Sequence, residues 1–179
     1  KKNIPNTIVH LAANNPAYKE SSYKKFYKEN ILGSKNLFYY SYKYNPKLKF
    51  IFANSSQIFK KKKGTVIENS EKKIVNDYTK FYVKFRIEFD KFMLSQNVNY
   101  TCLIFFNHDS MYRSKKFLFP RLVNAIKKRN KKFLNEILKY NIHGDFSHAD
   151  DICSAIYKVI LTKKRIKKLI LGSNKCTSV

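Results

Sequence analysis

The residues able to do chemistry lie in a few short strings. Ala53-Asn54-Ser55-Ser56-Gln57-Ile58-Phe59 sets Ser55 at the end of an apolar run, and a serine at a strand's C-terminal end lies where α/β sheets bind ligands. Tyr78 opens an aromatic helical stripe, 29 residues before Asn107 of the string Phe106-Asn107-His108-Asp109-Ser110. A tyrosine whose pKa is near about 10 is a poor base at neutral pH, so a basic role demands a neighbouring cation and a hydrogen-bond donor. Helical positions i and i+4 share a face, but position 82, four residues on, is another tyrosine. Lys80 and Lys84 fall roughly 120–160° around the helix, and neither is an easy substitute. Cys102, Cys153 and Cys176 have no CxxC spacing, and four dispersed histidines lack carboxylates at ligand spacing. Neither a disulfide framework nor a metal site is expected.

The elements that must position these residues alternate between apolar strand-like runs and longer helical segments, the pattern of an α/β sheet. Strands are expected at Thr7–Leu11, Leu48–Ala53, Tyr100–Phe106 and near Leu169–Leu171. Helices are expected from about Ala17 to Tyr42, Asp77 to Leu94, Leu118 to Lys128 and Ala149 to Leu161. The second carries Tyr78, Phe81, Tyr82, Phe85, Phe89 and Phe92 at helical spacing, which reads equally as core packing or as a subunit-contact face. No internal repeat or low-complexity linker breaks the chain, so residues 1–179 are expected to form one α/β domain.

Composition bounds the function. With 179 residues, 44% hydrophobic and 16% aromatic, the chain can build a core despite a formal charge of +25. No run approaches the ~20 apolar residues of a membrane helix, and no signal-peptide pattern follows Lys1, so a reducing cytoplasm is the expected setting. Only five of the 37 basic residues are arginines, and the lysines are spread over nearly every segment, densest at 60–63 and 163–168. That distribution reads as solvated surface on an AT-rich coding sequence. It makes nucleic acid an unlikely partner while suiting a phosphate-bearing small molecule.

Several strings together resemble one family, the extended short-chain dehydrogenases of the NAD-dependent epimerase/dehydratase type. His10-Leu11-Ala12-Ala13 and Asn30-Ile31-Leu32-Gly33-Ser34 with Asn36-Leu37 are similar to its fourth strand and following helix. Ala53 to Phe59 resembles its strand-end Ser/Thr motif. The most specific part, Phe106 to Ser110 with Arg113, resembles the Phe-Asn-His-Glu-Ser stretch of GDP-mannose 4,6-dehydratases, and Gly144-Asp145-Phe146-Ser147-His148-Ala149-Asp150-Asp151 resembles their Arg-Asp-Trp-Gly-His-Ala-Lys-Asp.

The resemblance implies a Rossmann-like parallel sheet flanked by helices. It also implies NADP or NAD as cofactor, a nucleotide-sugar substrate such as a GDP-hexose, a homo-oligomer, and oxidation at C4 with loss of water across C5 and C6. By position, Ser55 matches the catalytic Ser/Thr and Tyr78 the base. Leu11, Ala12, Ala13, His108 and Arg113 match cofactor contacts, while Asn107 and Arg121 match or adjoin substrate contacts. Two positions depart at the catalytic centre: Gln57 stands where the family has Glu, and an amide cannot abstract the C5 proton, while Tyr82 stands where it has Lys. Pairing Tyr82 with Arg86 would supply an i+4 cation but spoils the spacing to Asn107. The only glycines are Gly33, Gly64, Gly144 and Gly172, so no GxxGxxG loop occurs in these residues. The match therefore starts mid-fold, and an incomplete chain lacking its first strands is the expectation. Three readings stay open: a nucleotide-sugar dehydratase or related epimerase or 4-keto-sugar reductase, a pseudoenzyme kept for binding or assembly, and a polyanion-binding module.

Overall fold

A computed structural model describes residues 4–14, 22–60, 64–74 and 80–179. The chain divides into two compact units, Lys1–Phe105 with Thr162–Ile170, and Phe106–Leu161 with Leu171–Val179. The first holds strands β1 (Thr7–His10), β2 (Lys49–Ser55) and β3 (Tyr100–Phe105), with β7 (Lys168–Leu171) beside β3 in the order β1-β2-β3-β7. β1, β2 and β3 are parallel, with Ile8 opposite Phe50 and Phe52 opposite Cys102. β2 and β3 are buried along nearly their whole lengths, as strands covered on both faces must be. This is the α/β sheet that the alternating pattern led one to expect, in the Rossmann-like form that the resemblance implies.

Helices α1 (Tyr23–Tyr27), α2 (Gly33–Tyr44) and α3 (Lys80–Ser95) belong to this unit. The aromatic stripe of α3 is largely core: Phe89 is fully buried, with its ring centroid 4.6 Å from Phe52 and 6.2 Å from Phe50. Phe92 meets Phe38 of α2 edge-on at 5.9 Å. Such pairs add about 0.5–1.5 kcal/mol each beyond the area they bury.

The expected helix over 17–42 needs correction. Residues 15–21 lie outside the described set, and α1 and α2 are separated by a π-helical turn, Lys28–Leu32. The Asn30 side chain is drawn out of the helix, its Oδ1 accepting Asn14 N–H at 2.8 Å and its Nδ2 donating to Asn14 C=O at 3.3 Å. Ser34 Oγ then donates to the Asn30 carbonyl at 2.7 Å. The widened turn sits opposite the end of β1, in keeping with the frequent placement of π-bulges at functional sites.

The other unit contains α4 (Leu118–Lys127), α5 (Lys131–Leu138) and α6 (Ala149–Leu161), the middle one unanticipated from sequence. Two small sheets pair β4 (Asn107–Asp109) with β6 (Phe146–His148) in parallel and β5 (His143–Gly144) with β8 (Thr177–Ser178) antiparallel. At two or three residues, these strands are too short for a period-2 pattern to show. Asp145 organises the turn after β7: its carboxylate accepts Ser173 N–H at 2.7 Å, Ser173 O–H at 2.8 Å and Asn174 N–H at 2.8 Å. Gly172 makes this approach possible, because a Cβ there would lie 2.8 Å from Asp145 Oδ2.

Two stability predictions follow from these contacts. Asp90 is 1% exposed and binds Lys72 Nζ at 3.0 Å, Lys168 Nζ at 3.6 Å and the Tyr100 hydroxyl at 3.1 Å. Asp90→Ala strands these donors and should cost about 3 kcal/mol in urea unfolding, clearly more than Lys72→Met. Gly172→Ala should cost about 2 kcal/mol by displacing a hydrogen-bonded carboxylate, and almost nothing when Asp145→Ala is already present.

Candidate active site

The C-terminal ends of β1 and β2 and the start of α3 form one corner of the first unit. Ala12, Ala13, Asn30, Ser34, Phe52, Tyr82, Phe85 and Arg86 enclose a cavity of about 10 Å³, room for a single water. The structure thus brings Ala12, Ala13 and Tyr82, three positions singled out in the sequence, to one place. Leu11, Ala12 and Ala13 are exposed.

His10 anchors this corner. Its Nε2 lies 2.7 Å from Ser34 Oγ, and the single Ser34 hydroxyl hydrogen goes to the Asn30 carbonyl. Nε2 therefore carries the hydrogen and donates it. The ring packs among Phe50, Phe52 and Phe89, with centroids 5.8 to 6.4 Å away. Burial, reinforced by the positive Arg86, holds its pKa below the ordinary 6.5.

Arg86 shows its role only in the fold, because an arginine inside an aromatic stripe gives no local sign of burial. Its guanidinium lies over the rings of Phe52, at 5.0 Å, and Tyr82, at 4.8 Å. The residue is 6% exposed, and its Nη1 is buried with no hydrogen-bond partner. Desolvation lowers its pKa, opposed chiefly by Tyr82. Arg86 is the cation of the pocket, and Tyr82 is the side chain stacked upon it.

The remaining positions divide between the units. Ser55 ends β2, and its Oγ accepts the Gln57 N–H at 3.3 Å, so Gln57 lies in the 3-10 turn Ser56–Ile58. Tyr78 lies outside the described residues. In the second unit, Asn107 and His108 belong to β4, and His108 Nδ1 donates to the Phe106 carbonyl at 2.9 Å. Asn107 Nδ2 closes over Gly144, where a Cβ would stand 3.2 Å from it. The Arg113 guanidinium stacks 3.9 Å above Phe117, with its Nε buried and unpartnered, and Arg121 of α4 lies over Phe133 at 4.8 Å. Cys102 is inert, its thiol pushed up to about 12 by burial and the Asp90 charge. Cys153 and Cys176 are exposed free thiols. Among the described residues, no group of His, Cys, Asp and Glu side chains could hold a metal ion, and no helix is long and apolar enough to cross a membrane.

A parallel sheet with helices and a strand-end pocket defines a Rossmann-like α/β protein. Residues 1–171 match the NAD dependent epimerase/dehydratase family, and the chain belongs to that family. No curated protein matches it. Among solved structures, it is similar to dTDP-glucose 4,6-dehydratase from Bacillus anthracis in complex with NAD (18% identity, TM-score 0.72, 97% of this chain and 53% of that one). It is also similar to UDP-glucuronic acid 4-epimerase from Bacillus cereus in complex with NAD (20%, 0.73, 97% and 56%). A third is RMD from Pseudomonas aeruginosa complexed with NADPH (15%, 0.75, 98% and 63%). The chain thus spans between 53 and 63% of the length of these structures.

The His10 environment predicts a pH dependence. The folded state resists a proton that the unfolded chain accepts, so this contribution to stability is complete above pH 6.5 and declines as pH falls below it. Urea midpoints measured from pH 8 to pH 5 should fall at the acid end, and His10→Gln should flatten that fall.

Proposed function

We propose that this chain forms part of a nucleotide-sugar-modifying enzyme that works with a nicotinamide cofactor, NADP or NAD, and resembles the GDP-mannose 4,6-dehydratases. The observation carrying this reading is the corner where the open Leu11–Ala13 segment meets Tyr82 and the buried Arg86. Its small, exposed residues fit the flat nicotinamide end of a dinucleotide. They do not include a glycine-rich turn for its diphosphate. When bound, the cofactor exchanges a hydride with a carbon that bears a hydroxyl group.

The chain's own residues handle protons and binding. Ser55 Oγ already accepts the Gln57 amide hydrogen, leaving its own hydrogen to donate to a sugar oxygen. Tyr78 is the proposed proton acceptor for that hydroxyl. Tyr82, on the Arg86 guanidinium, stands four residues after Tyr78 in the sequence, where the family carries a lysine. Gln57 can hold a sugar hydroxyl by hydrogen bonds but takes no proton. Leu11, Ala12, Ala13, His108 and Arg113 are assigned to the cofactor, and Asn107 and Arg121 to the nucleotide sugar, a GDP-hexose. Exposed Tyr39, Tyr40 and Tyr44 on α2 and Leu94 on α3 support a homo-oligomer formed through these helices.

Calorimetry and NADPH fluorescence on the product of the complete gene test this reading. The expected result is NADPH binding that tightens with GDP-mannose and, when NADP+ is supplied as the hydride acceptor, conversion to a 4-keto sugar. Absence of binding by NADPH, NADH and a panel of GDP-, UDP- and dTDP-hexoses would end it.

A second reading, a catalytically silent binding or assembly module, is favoured by the Tyr82–Arg86 stack, which puts no primary amine where the chemistry wants one. Gln57→Glu with Tyr82→Lys separates the two. Activity present only in the double variant identifies a silenced enzyme, and activity already present in the parent rejects that reading.

A further inference from the structure

The N-terminal ends of the strands, remote from Ser55 along β2, carry a different feature. Where β2 and β3 begin, the first unit forms a cleft of about 400 Å³ whose lining includes Lys49, Asn97, Asn99, Lys163, Lys164 and Arg165 and, among the described residues, no carboxylate. Lys49 is 8% exposed, and its ammonium donates to the Thr162 carbonyl at 3.0 Å. Arg165 Nη2 donates to the Val98 carbonyl at 2.8 Å and to Asn97 Oδ1 at 3.4 Å. These contacts are to neutral oxygens, which direct a charge without cancelling it. Lys163 and Lys164 are exposed beside them, and Lys164 N–H is turned onto Thr162 Oγ1 at 3.4 Å.

Four cations converging on one cleft favour an anion with several charges. The guanidinium edge left over by Val98 and Asn97 suits the paired oxygens of a phosphate. The cleft volume is that of a small-molecule site rather than of an extended track for a nucleic-acid strand. We propose that this cleft is a binding site for a compact polyphosphate, a pyrophosphate group free or as part of a nucleotide, separate from the strand-end corner of the same unit. It stands independently of the assignment made for that corner.

The test is calorimetric titration with inorganic pyrophosphate at 150 mM salt, alongside ADP and a 20-base-pair DNA. Lys164→Glu with Arg165→Glu should weaken pyrophosphate binding at least about tenfold, because two attractive charges become repulsive at short range. Lys131→Glu with Lys132→Glu, an equal charge change on exposed positions of α5 that do not line the cleft, should alter it by less than about twofold. ADP binding more tightly than pyrophosphate marks a nucleotide as the ligand, and equal affinity marks the free anion; both support the site. Equal loss in the two charge-reversed pairs would show adventitious attraction to a basic protein and overturn the proposal. So would pyrophosphate displacement by the DNA with a steep salt dependence. If the first pair does not fold by circular dichroism, Lys163→Gln with Lys164→Gln carries the same test on exposed side chains, with an expected weakening of about threefold.

Discussion

The contact on which the rest of the first unit depends is the seating of Phe89 against β2. Phe89 is fully buried and meets Phe50, Phe52 and the His10 ring from one position on α3. One turn toward the N-terminus, the same helix face presents Arg86 to Phe52, and one turn further, Tyr82. The seating therefore sets both the depth and the rotation of α3 on the sheet. Any shift along that axis would move the guanidinium and the tyrosine relative to the ends of β1 and β2.

Charge is handled differently at the two ends of these strands. Toward the C-terminal ends, Arg86 is buried between aromatic rings, a cation accommodated by π-faces and largely stripped of water. At the N-terminal ends, Lys49 and Arg165 are aimed by carbonyl oxygens and remain beside an open cleft. Asp90 gathers Lys72 and Lys168 about one buried carboxylate, which offsets one of their two charges. A formal charge of +25 thus conceals three kinds of basic residue, and only their surroundings tell them apart.

Much of the fold was legible in the sequence, because long apolar strands and a four-turn aromatic stripe repeat their signal over many residues. β2, β3, α4 and α6 lie where expected, with boundaries shifted by no more than two residues. What escaped notice was short or nonlocal. β4 and β6 pair residues 39 positions apart over three positions each, and α5 has only eight residues. The burial of Arg86 depends on Phe52, 34 positions away, which no window of sequence displays. Of the site, the grouping of Ala12 and Ala13 with Tyr82 emerged from aligned motifs rather than from periodicity. The π-turn was invisible because Asn30 reads as an ordinary helical residue until Asn14 is placed beside it.

That turn carries a consequence for how the protein can vary. A π-turn holds one residue more than the helix around it needs, so deleting a single codon within Lys28–Leu32 would leave a regular α-helix. The flanking turns would keep their faces, because the widened turn absorbs the surplus residue, but the bulge that carries Asn30 toward Asn14 would be gone. Asn30 could then no longer grip Asn14 while Ser34 faced His10. Length in this segment is therefore under tighter constraint than residue identity, and descendants of this chain should tolerate exchanges at exposed Lys28 or Leu32 more readily than the loss of any one position between them.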